Sequence, residues 1–138
     1  MTCAERIQLR AAVRDDVLAH ARAEAPRECC GLLVGRGALV QECVRSRNID
    51  PDPNRYEVDP LLHIATSRRL RGSGREIVGA YHSHPHSTPL PSESDRAEAY
   101  YRDFIWMIVS LAVPERAALA AYRLTGEKIV ELTIEVIP

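Results

Sequence analysis

Helical and extended hydrophobic patterns alternate along the chain, and their order predicts the architecture. In residues 11–25, AAVRDDVLAHARAEA, the apolar positions Val13, Val17, Leu18, Ala21 and Ala25 share one helical stripe, with Arg14, Asp15 and Arg22 off it. Pro26 closes that segment. CCGLLVG and ALVQECV flank Gly35-Arg36-Gly37 and predict two strands joined by a tight turn. The stretch NIDPDPNRY is loop by its proline, aspartate and asparagine content. Asp59-Pro60 then opens a second helix, with Asp59 as N-cap and Pro60 in the first turn, and Gly72 ends it.

EIVGAYH, residues 76–82, is a short apolar run between Gly74 and a proline-rich loop, which predicts a buried strand carrying His82 at its end. A third helix is expected from Ser92 to about Asp103. FIWMIVSLAV is an apolar run rich in branched residues, so a central strand fits better than a helix. AALAAYRL and KIVELTIEVI follow, separated by Thr125-Gly126. The second of these sets Val130, Leu132, Ile134 and Val136 against Glu131, Thr133 and Glu135, the alternation of a half-buried strand. The whole predicts an α/β fold, a mixed sheet of about six strands with flanking helices.

The bulk properties narrow the class. A length of 138 residues suits one domain, residues 1–138, with a single core, and 46% apolar with 27% charged residues is ordinary globular composition. The net charge of −1 and scattered basic residues supply no phosphate-binding surface, so nucleic acid is not an expected partner. The start, MTCAERIQLR, lacks the apolar region of a secretory leader, and no run of 18 apolar residues occurs; the expectation is a cytoplasmic protein that does not span a membrane. Cys3, Cys29, Cys30 and Cys43 form no CxxC pair, and adjacent Cys29 and Cys30 are poorly placed for a disulfide. They are expected to be reduced and mostly buried, so a metal site here would draw on histidine and carboxylate.

The stretch HSHPHSTPLPSESD, residues 82–95, changes the picture. It holds three of the chain's five histidines, followed by prolines, a serine and an aspartate. In extended backbone, positions i and i+2 point the same way, so His82 and His84 can face one ion if the strand continues that far. Pro85 biases the residue before it toward β geometry. Asp95, in the first turn of the expected helix, is a possible third ligand. Two histidines and an aspartate leave one zinc position open for water, the arrangement of catalytic rather than structural zinc. Ser92-x-x-Asp95 is equally a helix start, with Ser92 as N-cap and Asp95 near the positive end of the helix dipole. The two roles are compatible.

Taken together, His82-Ser-His84-Pro, six residues, then Ser92-x-x-Asp95 resembles the signature of the JAMM (MPN+) zinc metalloproteases. Glu28 ahead of CCGLLVG is similar to the family's E-x-x-G-L-x-x-G element. The resemblance covers about residues 7–136 and implies a curved, cytidine-deaminase-like sheet. It also implies one Zn²⁺ per chain on His82, His84 and Asp95, with Glu28 moving the proton of the attacking water and Ser92 donating to the oxyanion. The chain has little room for the insertions by which eukaryotic members grip ubiquitin and looks like the compact bacterial branch. That implies peptide or isopeptide hydrolysis after the C-terminal Gly-Gly of a ubiquitin-like or sulfur-carrier protein, by trimming or cysteine release, in a monomer or homodimer. An extended tail is expected to pair with a sheet edge beside the metal. His86 has no place in the pattern and is expected near the metal entrance. His20 and His63 are expected to be structural or exposed, and Tyr81 to point into packing. The competing readings are a catalytically silent MPN scaffold or another two-histidine, one-carboxylate metalloenzyme. A zinc nucleobase deaminase is disfavoured because H-x-E and PCxxC are missing.

Overall fold

The computed structural model describes residues 5–92, 95, 104–113, 115–125 and 128–138. The elements run β1 (Arg6–Arg10), α1 (Ala11–Glu24), β2 (Cys30–Arg36), β3 (Leu39–Ser46), α2 (Pro60–Leu70), β4 (Glu76–His84), β5 (Ile105–Ser110), β6 (Ala118–Thr125) and β7 (Lys128–Ile137). The third expected helix lies outside the described residues except for Asp95, which is helical. Among the described residues no helix is long and apolar enough to cross a membrane.

Seven strands, not six, close on themselves in the order β1-β3-β2-β4-β5-β6-β7. The extra strand is β1, RIQLR, whose alternation is real, with Ile7 and Leu9 buried between exposed neighbours. Five residues leading directly into a helix are too few to declare a period, so only pairing reveals the strand. Its Arg6–Arg10 lie parallel to Thr133–Ile137 of β7. The sheet is mixed as expected, with β4 and β5 also parallel and the hairpins β2–β3, β5–β6 and β6–β7 antiparallel. The β2–β3 turn falls on Gly37, whose φ of 58° is costly for a side-chain-bearing residue.

The core joins α1 to one face of this curved sheet. Val13, Val17 and Ala21 of the helix meet Ile7, Leu9, Leu33, Tyr81, Met107, Val109 and Ala121 in one buried cluster. A fully buried Leu, Ile or Val contributes roughly 1.5–3 kcal/mol relative to exposure, so this cluster dominates the stability. It also absorbs a polar pair: His20 Nδ1 and the Tyr81 hydroxyl lie 2.8 Å apart in the interior, their rings edge-on. Tyr81 points into packing as expected, and His20 is buried rather than exposed. Every second residue of β4 takes the opposite face, where Ala80 and His82 stand beside Leu32 and Trp106 of the neighbouring strands.

Helix α2 starts as its sequence dictates. The Asp59 side chain accepts the backbone N–H of Leu61 and Pro60 occupies the first turn. Asp59 N–H in turn donates to Ser46 Oγ, which seats the helix entry against the end of β3.

Candidate active site

Strand β4 runs two residues beyond its expected end and so presents both histidines. Its terminus is held on each side: Ser83 N–H donates to Cys29 O at 3.1 Å, and Leu111 N–H donates to His84 O at 3.1 Å. The Ser83 hydroxyl also accepts the Cys29 N–H at 2.8 Å. With Ser83 facing inward, His82 and His84 face outward together. Strand β2 pairs with β4 as far as His82 and β5 pairs with it as far as His84, so β4 is an interior strand among the described residues.

Three donor groups converge. His82 Nε2 and His84 Nε2 are 3.2 Å apart, and the two Asp95 carboxylate oxygens lie 3.1 Å from His82 Nε2 and 3.0 Å from His84 Nε2. A cation bound at 2.0–2.1 Å by tetrahedral ligands would set them about 3.3 Å apart, so the spacing fits zinc. The tautomer fits as well. His84 Nδ1 is 2.8 Å from Thr88 O, and a carbonyl can only accept, so Nδ1 carries a proton and Nε2 is the nitrogen left to serve a cation once its own proton is displaced. Thr88 is fixed in turn, since the Ser110 hydroxyl bonds Ser87 O and the Tyr122 hydroxyl bonds Pro89 O.

The electrostatics favour positive charge. Burial alone would lift Asp95, yet hydrogen bonds from His82 and His84 hold its carboxyl well below the usual range. Burial works against a charged His84, but its bonds to Asp95 and Thr88 raise it above the ordinary imidazole value.

The Ser92–Asp95 segment forms the expected cap, and its carboxylate also faces the histidines. Ser92 Oγ accepts the Asp95 N–H at 3.1 Å, and Asp95 Oδ2 accepts the Ser92 N–H at 2.9 Å, a reciprocal capping pair. The cap pre-orients the carboxylate, whose oxygens then reach both histidines.

Glu28 sits between α1 and β2, buried although it belongs to no regular element. Cys30 pairs with His82 in the antiparallel β2–β4 ladder, and continuing that register two residues brings Glu28 opposite His84, on the same face. Burial raises its carboxyl to about 7, with His84 pulling down and Asp95, Asp52 and Asp50 pushing up. A group that titrates near neutrality can both take and give a proton.

Two residues went unnoticed in the sequence. The Tyr56 ring stacks on His82 with centroids 4.1 Å apart and planes 14° from parallel. Asn48 bonds to the Glu28 backbone from the same loop. Both lie in a stretch whose composition reads only as loop, and no periodicity marks either. Beyond Tyr56 a groove of about 470 Å³ continues along the sheet face, floored by Leu32, Ala80 and Trp106 and walled by Val58 and Ile64. His63 lines it. His86 is exposed and borders a separate cleft with Arg22 and Leu111, outside the ligand cluster. Cys29, Cys30 and Cys43 are free thiols, and burial pushes them up to about 11, 12 and 12, which keeps them protonated at neutral pH.

Comparison with known proteins places this geometry. Residues 10–124 match the family described as prokaryotic homologs of the JAB domain. A desampylase from Haloferax volcanii is 34% identical over 138 residues, covering 95% of this chain and 96% of that protein. A CysO-cysteine peptidase from Mycobacterium tuberculosis is 28% identical over 131 residues, covering 94% and 90%. The solution structure of protein DSY2949 from Desulfitobacterium hafniense superposes with a TM-score of 0.87 at 29% identity, covering 95% of this chain and 92% of that one.

Proposed function

This chain belongs to the prokaryotic homologs of the JAB domain, and from that premise we propose that it is a zinc-dependent peptidase or isopeptidase. Its bond is the one after the C-terminal Gly-Gly of a ubiquitin-like or sulfur-carrier protein. The observation that carries the proposal is the meeting of two imidazole nitrogens and one carboxylate at 3.0–3.2 Å, with a buried glutamate two residues ahead of the adjoining strand. The names of the relatives, a desampylase and a CysO-cysteine peptidase, support hydrolysis at the tail of a small carrier protein.

His82, His84 and Asp95 would hold the ion. When bound, zinc makes hydroxide available near neutral pH and polarises a carbonyl oxygen. The remaining chemistry belongs to the chain. Glu28, poised near neutrality, takes the proton of the attacking water on a carboxylate oxygen and delivers it to the leaving amine. The Ser92 hydroxyl donates to the oxygen that gains charge as water adds. The Thr88 carbonyl keeps the His84 ring from turning.

The groove beside His82 receives the tail. Leu32, Ala80 and Trp106 offer an apolar floor for alternate side chains of an extended peptide. Paired glycines suit the stretch beside His82, where the Tyr56 ring lies flat on the imidazole. The proposal includes action in the cytoplasm, as a monomer or homodimer, a setting with which free Cys29, Cys30 and Cys43 are compatible.

The test joins metal analysis to mass spectrometry of Gly-Gly-tailed carriers, wild type beside Glu28→Ala. Both proteins are expected to carry one zinc, while turnover in the variant falls by about 10²–10⁴. Zinc-loaded wild type that leaves every such tail intact, or full activity in Glu28→Ala, rejects the reading.

A further inference from the structure

The main chain of Glu28 is not anchored by the sheet. Its N–H donates to Pro53 O at 3.0 Å, and its carbonyl accepts from the Asn48 side chain at 3.0 Å. Both partners belong to the loop between β3 and α2, and that loop also supplies Tyr56.

Asn48 is the knot of the loop. Its amide nitrogen donates to Glu28 O at 3.0 Å and to Arg55 O at 2.8 Å. Its amide oxygen accepts the N–H of Asp50 at 3.0 Å and of Glu57 at 3.1 Å. A primary amide offers two donors and two acceptor lone pairs, and all four are used. Arg55 and Glu57 are the neighbours of Tyr56, so the amide grips the chain on both sides of that residue. Residues 51–55 and 57 are exposed, whereas Tyr56 is buried against His82. The ring lies on His82, and the Asn48 amide holds the main chain on either side of it. A backbone bridge between Asn48 and Val58 and the bond from Ile49 N to Glu57 O close the same loop.

We infer that Asn48 is the positioning residue of this site, one amide that locks the Glu28 backbone to the chain seating Tyr56 on His82. The proton carrier and a metal ligand thereby share one anchor and keep their mutual distance. Outer-shell contacts of this kind change metal affinity or activity about 10–100-fold when lost. The inference rests on the proposed roles of Glu28 and His82.

Asn48→Asp is the informative variant. It preserves size and both accepting bonds, so the loop keeps its internal ties to Asp50 and Glu57. It deletes the two donors and sets a carboxylate against the carbonyls of Glu28 and Arg55. Zinc affinity by chelator competition, the visible spectrum of the cobalt-substituted protein, and kcat and KM on a Gly-Gly-tailed carrier are measured at a temperature where circular dichroism shows full folding. The expected result is a 10–100-fold fall in kcat with KM within about threefold, together with shifted cobalt bands. Tyr56→Ala, which leaves the knot intact, should weaken zinc binding about tenfold or more and shift the same bands, and Tyr56→Phe should restore both. Folded Asn48→Asp with wild-type kcat and cobalt spectrum overturns the inference, as does Tyr56→Ala with wild-type zinc affinity. If wild type binds zinc but cleaves no carrier, the peptidase reading fails, while the cobalt and affinity measurements still decide the role of Asn48.

Discussion

Gly31 offers the sharpest quantitative test of how the core supports the site. It pairs with Tyr81 across β2–β4, between Glu28 and the centre of the sheet. A Cβ built on it would stand 2.4 Å from Tyr81 Cε1 and 2.5 Å from Cζ and the hydroxyl oxygen. The ring cannot withdraw cheaply, being 0% exposed with its hydroxyl 2.8 Å from His20 Nδ1. Gly31→Ala must therefore push β2 outward or displace the ring. Overpacking of this kind costs about 1–3 kcal/mol. If the ring moves, the buried His20–Tyr81 bond is lost at about 1–3 kcal/mol more. The combined loss of about 2–6 kcal/mol is a large share of the roughly 5–15 kcal/mol stability typical of a domain. Urea unfolding of Gly31→Ala, Tyr81→Leu and the double variant measures it, because leucine has no atoms where the new methyl would clash. In the Tyr81→Leu background the alanine should cost less than about 1 kcal/mol, a coupling well above the additive range. A Gly31→Ala cost below about 0.5 kcal/mol, or costs that add within about 0.5 kcal/mol, refutes the reasoning.

Three further outcomes are expected. Asp95→Asn keeps the shape of a ligand but removes its charge, so zinc content at equilibrium with a chelator should fall more than about 100-fold in affinity, beyond the effect of outer-shell changes. Burial and then Arg45 lower the His20 pKa in the fold, so the unfolded chain binds the extra proton as pH falls. The His20 contribution is therefore complete above its unfolded pKa of about 6.5 and disappears as pH drops through the lower folded value, with a slope of up to about 1.4 kcal/mol per pH unit. Denaturation midpoints between pH 8 and 5 should decline more steeply in wild type than in His20→Gln; equal slopes would exclude the mechanism. Ile64, 49% exposed on the groove wall, should matter for binding alone: Ile64→Asp is expected to raise KM for a carrier about tenfold with kcat unchanged, an apolar contact worth about 1.4 kcal/mol. A fall in kcat at constant KM would place Ile64 elsewhere in the reaction.

Much of this was legible in the residues themselves because it is local. The stripe of α1 and the Asp59-Pro60 start of α2 are written in side chains a few positions apart, whose geometry the backbone period dictates. The spacing of His82 and His84 likewise places them on one face, and Ser92-x-x-Asp95 is a cap that needs only its own turn. β1 escaped because five residues carry too little period, and its partners in β7 lie more than a hundred positions away.

What the chain alone determined, then, was the chemistry available: two imidazoles, a carboxylate on a capped turn and a spare glutamate, each presented by short-range stereochemistry. The folded arrangement decided which of these meet. Closure of the sheet made β4 an interior strand and set a groove along its outer face. The β2–β4 register brought Glu28 level with His84, and the loop knotted by Asn48 laid Tyr56 on His82. Such contacts depend on register, closure and burial, which are properties of residues far apart in the chain, and no local pattern carries them.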